Sequence, residues 1–237
     1  MEDVLNKLKN IFMADKVISR GKEWPTETGH GTLPDNWVPS EELTALDADL
    51  EYLEYSAEAV GFGNREMQWN LYRSVTAHLP EGASVLDFGC GRGDYKLFHA
   101  DDYKFDLDYI GIDMNQQLID AGTKAYDNRV DIRCLDWFSL PKDLKQDWCI
   151  NIGSCNLRYD ADIKTLDAEY LQNTIRVMAE HANDGLVILL ASELSGIDDG
   201  LINHDPGSIL NWAQKEFNSV ALDHSFSNDL FALIIYK

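Results

Sequence analysis

The feature that most constrains this chain is the run Val85–Tyr95, which reads VLDFGCGRGDY. A short, mostly apolar stretch leads straight into glycines at three alternate positions, Gly89, Gly91 and Gly93. Glycine admits the backbone conformations of tight loops and lets other groups come close to the main chain, at a conformational cost of roughly 0.5–1 kcal/mol in regular structure. Three of them at the end of a strand predict a sharp strand-to-helix turn that cradles a nucleotide-like ligand. A tight turn that binds nothing stays open as the bland alternative. Two familiar loop patterns fail in register. A dinucleotide loop, G-x-G-x-x-G, needs its third glycine at position 94, which is Asp94, and a P-loop needs a Gly-Lys-Ser/Thr ending that is absent here.

From Ser84 onward, strand and helix patterns alternate. Apolar or β-branched runs fall at Ser84–Phe88, Tyr109–Ile112, Val130–Cys134, Trp148–Ile152 and Leu186–Ala191. Helical patterns separate several of them, notably Gln116–Tyr126 and Leu166–His181. Such alternation predicts a parallel α/β sheet covered on both faces. Asp205 followed by Pro206 marks a further helix start. Ser219–Leu222 and Leu230–Tyr236, joined by a short polar stretch, predict a closing antiparallel pair.

The chain ahead of this core is different. Residues 1–60 divide into a short amphipathic start, an irregular Gly/Pro/Thr-rich excursion from Gly21 to Pro39 that carries two tryptophans, and a renewed helical pattern with Ser40 as its expected N-cap. We expect an N-terminal helical and loop extension over 1–60, with the excursion as a possible acceptor lid, and a second unit over 61–237. The stretch REMQWNLYRSVTAHL predicts an amphipathic helix just before the first strand.

DFGCGRG, of the form D-x-G-x-G-x-G, resembles the first motif of the class I S-adenosylmethionine-dependent methyltransferases. Further motif positions of that family follow in order. The resemblance implies a Rossmann-like fold with a seven-stranded, mostly parallel sheet and an antiparallel last strand. It implies a donor site in which Asp87 organises the glycine loop and Gly89, Gly91 and Gly93 approach the ligand. Asp113, at the end of YIGID, would hold the ribose hydroxyls with Met114 beside it. Asp136 would accept from the adenine amino group and Trp137 would stack on the base. The stretch AVGFGNREMQWNLYRS also resembles a VGWG-like segment ahead of the glycine loop in a group of bacterial and phage methyltransferases, which adds Phe62 and Gln68 to the cofactor side. The implied donor is S-adenosylmethionine and the implied product S-adenosylhomocysteine.

Each position also has a plain structural reading. Asp87 can merely cap a loop, Asp113 can be a surface acid, and Trp137 can belong to the core. Phe62 and Gln68 can serve hinge and helix packing. Cys155 reads as a small buried hydrophobe rather than a nucleophile. His30 and His204 are placed by no motif and stay as acid–base candidates. Asn156, just past the fourth strand, is the catalytic candidate, because an amide both donates and accepts and can orient a polar acceptor; capping a turn is its alternative.

Composition bears on partners. Twenty Lys and Arg stand against 41 Asp and Glu, giving a formal charge of −21. Nucleic-acid binders neutralise phosphates with basic side chains, so duplex DNA is a disfavoured partner. The segment Gly153-Ser154-Cys155-Asn156-Leu157 lacks the N/D-P-P-Y/F motif of amino-methylating DNA enzymes and the Pro-Cys of C5-cytosine enzymes. A small molecule or a protein group therefore remains as the methyl acceptor. The alternatives are a catalytically silent donor-binding module acting through a partner, or a nucleic-acid methyltransferase. The four cysteines form no C-x-x-C pair, so no metal site is expected, and with no secretory or membrane-spanning pattern a cytoplasmic location is expected.

Overall fold

The structure, a computed structural model, describes Ala57 and residues 60–104, 106–156, 164–196 and 201–237. Apart from Ala57 and Val60, the expectations made for 1–60, including the Gly21–Pro39 excursion, Ser40 and His30, lie outside the described residues.

Helix α1 (Arg65–Thr76) opens on Asn64, whose side chain accepts from the Met67 amide at 2.8 Å, and turns Gln68, Tyr72 and Val75 inward. It ends three residues short of the sequence expectation. His78 and Leu79 bond back to Val75 and Thr76, a tightening one turn ahead of Pro80, whose ring disfavours α-helical geometry in the residue before it. β1 (Val85–Phe88) then enters the glycine loop, and α2 (Asp94–Phe98) leaves it and runs on into a π-helical turn, His99–Tyr103. β2 (Tyr109–Asp113), α3 (Gln116–Ala125), β3 (Ile132–Cys134) and β4 (Gln146–Ile152) follow. Next come α4 (Lys164–His181), β5 (Ala182–Ala191), α5 (Pro206–Glu216), β6 (Ser219–Asp223) and β7 (Leu230–Tyr236). Val130, expected in β3, is buried in the bend before it, and β5 begins four residues early because α4 runs into it without a loop.

The seven strands form one sheet in the order β3-β2-β1-β4-β5-β7-β6. The pairs β3–β2, β2–β1, β1–β4 and β4–β5 are parallel, and β7 runs antiparallel to both β5 and β6. The central strands are buried on both faces, which is why they read as nearly continuous apolar runs. Leu86, Phe88, Ile188 and Leu190 face a core shared with α4 and α5, whereas Val85, Ile150, Val187 and Leu189 face one shared with α1 and α2. Strand order reverses between β1 and β4, and ligands of open α/β sheets bind beyond the carboxyl ends of the strands at such a point. Among the described residues no helix is long and apolar enough to cross a membrane.

Candidate functional site

The glycine loop closes over the ends of β1 and β2. The amides of Gly89 and Cys90 both donate to the Ile112 carbonyl, at 2.8 and 3.0 Å. Gly89, Gly91 and Gly93 have φ of 74°, 57° and 80°, values that L side chains rarely adopt. Packing restricts them as well. A Cβ on Gly89 would lie 2.4 Å from Ser154 Oγ, one on Gly91 3.1 Å from a Val60 methyl, and one on Gly93 2.8 Å from Ile132. The need for glycine here is therefore satisfied by the protein's own close contacts, independently of any ligand.

Asp113 sits at the carboxyl end of β2, half-buried. One of its oxygens accepts from the Gly91 amide and the other from the Asn115 amide, both at 2.8 Å. Burial raises its carboxyl above the ordinary range, and these amides, with that of Met114, oppose the rise. Each oxygen keeps a further lone pair. Met114 itself packs, half-buried, against the core beside α4. Asp87 lies deeper, 3% exposed, with the Tyr109 hydroxyl donating to it at 2.8 Å. Burial pushes it up to about 7; the Tyr109 bond works against that and the nearby Asp113 charge adds to it.

Asp136 caps the short 3-10 turn Trp137–Ser139, accepting from the Phe138 amide at 2.9 Å and from the Ser139 hydroxyl at 3.4 Å. Its carboxyl is half-buried and raised by that burial. Trp137 is 2% exposed and packs among Phe88, Phe138 and Tyr170. Its core reading prevails over its reading as a base-stacking cover. Phe62 meets Tyr72 edge-on, with ring centroids 5.7 Å apart. Gln68 is fully buried, and its amide bonds to Tyr72, Asp94 and Arg65.

Two residues of the loop that the motif passes over prove central. Arg92 and Asp94 are 0% and 2% exposed and form an ion pair at 2.7 Å. Burial would raise the Asp94 carboxyl, but Arg92, helped by Tyr126 and Gln68, holds it below the usual carboxylate range. The only sequence signal for this pair was the position of two opposite charges around Gly93.

Beyond β4 and β5 the surroundings change. Asn151, buried in β4, donates to the Phe88 carbonyl at 3.0 Å and to Ser154 Oγ at 2.6 Å, tying β4 to the start of the glycine loop. Asn156 is buried; its Oδ1 accepts from the Ala191 amide at 3.0 Å, and its carbonyl accepts from Ile202 at 2.8 Å. The Cys155 thiol is pushed up to about 12 by burial, in keeping with its reading as a small buried hydrophobe. His204 is pushed down to about 4 by burial, against a hydrogen bond to the Cys155 backbone, and its Nε2 has no partner among the described residues. Among the described residues no three His, Cys, Asp or Glu side chains converge on a metal site.

No protein-family model matches the chain. Rv1506c of Mycobacterium tuberculosis, a candidate methyltransferase, is 25% identical over 162 residues, spanning 65% of this chain and 93% of its own length. Among solved structures, the magnesium protoporphyrin IX methyltransferase of Synechocystis, crystallised with S-adenosylhomocysteine, has 17% identity and a TM-score of 0.53, covering 79% of this chain and 96% of its own. The plantazolicin methyltransferase, crystallised with a triazolic plantazolicin analogue and S-adenosylhomocysteine, has 14% identity and a TM-score of 0.56, covering 83% and 97%. At these identities the solved structures show a shared fold.

Proposed function

We propose that this chain, which has the class I methyltransferase fold, binds S-adenosylmethionine beside β1 and β2 and transfers its methyl group to a small-molecule or protein acceptor. One observation carries the reading. The Asp113 carboxylate ends β2 at the reversal of strand order, braced by two backbone amides and still able to accept two more hydrogen bonds. A vicinal diol such as a ribose offers two donors of that kind. The remaining residues fit the same group. Gly91 presents its backbone beside Asp113, Asp136 offers a half-buried carboxylate to an adenine amino group, and Met114 supplies apolar surface beside them. Asp87, buried behind the loop, acts on its shape.

When bound, S-adenosylmethionine supplies a methyl group already activated by a positively charged sulfur. The chain's contribution is then alignment for in-line attack and exclusion of water. Asn156 stands where the acceptor would meet that site, beyond β4. The second reading, a silent donor-binding module, draws on one feature: Asn156 Oδ1 is spent on the Ala191 amide.

Calorimetry tests the donor. The protein should bind S-adenosylmethionine and S-adenosylhomocysteine and not NAD, and Asp113→Ala should weaken binding by about 1.5–3 kcal/mol, the scale of charge-assisted hydrogen bonds. Unchanged affinity in that variant removes the ribose assignment. Release of S-adenosylhomocysteine from labelled donor, in the presence of a cell extract, separates enzyme from silent binder.

A further inference from the structure

Gln68 occupies a position where an apolar residue would be the ordinary choice: it is fully buried on the inward face of α1, with Tyr72 and Val75. A buried primary amide is costly unless its groups are bonded. Here its nitrogen donates to Asp94 Oδ2 at 2.8 Å and to the Tyr72 hydroxyl at 2.9 Å, and its oxygen accepts from Arg65 at 2.9 Å. Asp94 directly follows Gly93 and opens α2. Its carboxylate also takes the Arg92 guanidinium at 2.7 Å, with Arg65 at 3.5 Å and the Tyr126 hydroxyl from the end of α3. One carboxylate thus ties α1 and α3 to the last turn of the loop. Val60, just ahead of α1, lies close to Gly91, where a Cβ would come within 3.1 Å of its methyl, and the Gly91 amide holds Asp113.

We propose that Gln68 is a positioning residue for the donor loop: acting through Asp94, it holds Gly91 and Gly93 in the shape that presents their backbone to the donor. The inference rests on the donor reading above for its ligand, but the loop-holding role stands on contacts within the chain. It replaces direct cofactor contact by Gln68 with action from behind the loop.

The test uses the full chain and Gln68→Met, which keeps the volume and removes the amide. Amide hydrogen exchange is read without ligand, and S-adenosylmethionine affinity by calorimetry. The expected result is at least tenfold faster exchange at Gly91 and Gly93, exchange in β4 and β5 within twofold of wild type, and donor affinity at least fivefold weaker. Loop amides exchanging at the wild-type rate overturn the proposal. So does a uniform acceleration through loop and sheet, the signature of a residue that only adds stability. Tyr126→Phe, which removes another donor to Asp94 from a different helix, should loosen the same two amides to a smaller degree, and it decides the matter if Gln68→Met does not fold. If the wild type fails to bind S-adenosylmethionine, the donor reading falls, while the exchange pattern still decides whether Gln68 holds the loop.

Discussion

The carboxyl ends of β1 and β2 and those of β4 and β5 form two halves of one crevice, built on opposite plans. At the β1–β2 half, each carboxylate is held by the chain's own donors: Asp113 by two amides, Asp94 by two arginines, an amide and a hydroxyl, Asp87 by a tyrosine. At the β4–β5 half, side chains are spent on joining strand ends to each other, and Asn151 Oδ1 and His204 Nε2 are buried with no partner among the described residues. The first half is cross-linked by its own hydrogen bonds and ion pair before any ligand arrives, which suits an invariant donor. The second keeps buried polar atoms that the chain's own described groups leave without a partner. Rigid scaffold beside adaptable surface is how one fold serves many substrates.

The largest test of this contrast is Arg92→Met. It removes the nearer of the two guanidiniums paired with Asp94 and leaves the buried carboxylate only Arg65, at 3.5 Å, so stability should fall by about 3–5 kcal/mol. A loss below about 1 kcal/mol in chemical denaturation would mean that the first half is not held by its charges.

Next in size is a pair of opposite pH effects. Asp87 is raised to about 7 in the fold, so between about pH 4 and 7 the folded state holds a proton that the unfolded chain has released, and stability falls as pH rises. Asp87→Asn should therefore be more stable than wild type by about 2–4 kcal/mol above pH 7, with the gap closing toward pH 4. His204 is lowered to about 4, so between about pH 4 and 6.5 the unfolded chain binds the extra proton and stability falls as pH falls. His204→Gln should gain on wild type in that acid window and match it above. Thermal melts across pH 4–8 that show both variants moving in the same direction would erase the distinction between the halves.

The smallest effect is expected at Asn156→Ala. The Ala191 amide loses its acceptor, at a cost of about 1–2 kcal/mol. If Asn156 also orients the acceptor, S-adenosylhomocysteine release per folded molecule should drop at least tenfold; equal turnover in the folded variant leaves it a strand-end tie.

The same contrast explains what could be read in advance. The glycine loop, the carboxylate at the end of β2 and the alternation of strand and helix were legible because each depends on neighbours in sequence: a strand, a turn, a carboxylate at a strand end. Trp137 was not decidable, since an aromatic after a strand serves base or core equally, and the outcome turned on Phe88 and Tyr170 arriving from elsewhere. Gln68 was found for its pattern, but its partner lies 26 residues away. Arg92 has no motif role, and only the fold reveals that it pairs with Asp94 in the interior. The β4–β5 half was nearly silent, because Asn156 and His204 take their roles from contacts across the sheet end.

The place of β7 bears on how the chain is made. It lies between β5 and β6, though it is the seventh strand in chain order. During synthesis, Gly185–Ala191 of β5 waits with an open edge until Leu230–Tyr236 has emerged, and β6 has nothing to pair with before then. An unpaired apolar edge recruits other chains. Nascent protein halted before β7 should thus be a client for chaperones, and cutting at Leu230 should yield insoluble material rather than a smaller folded domain.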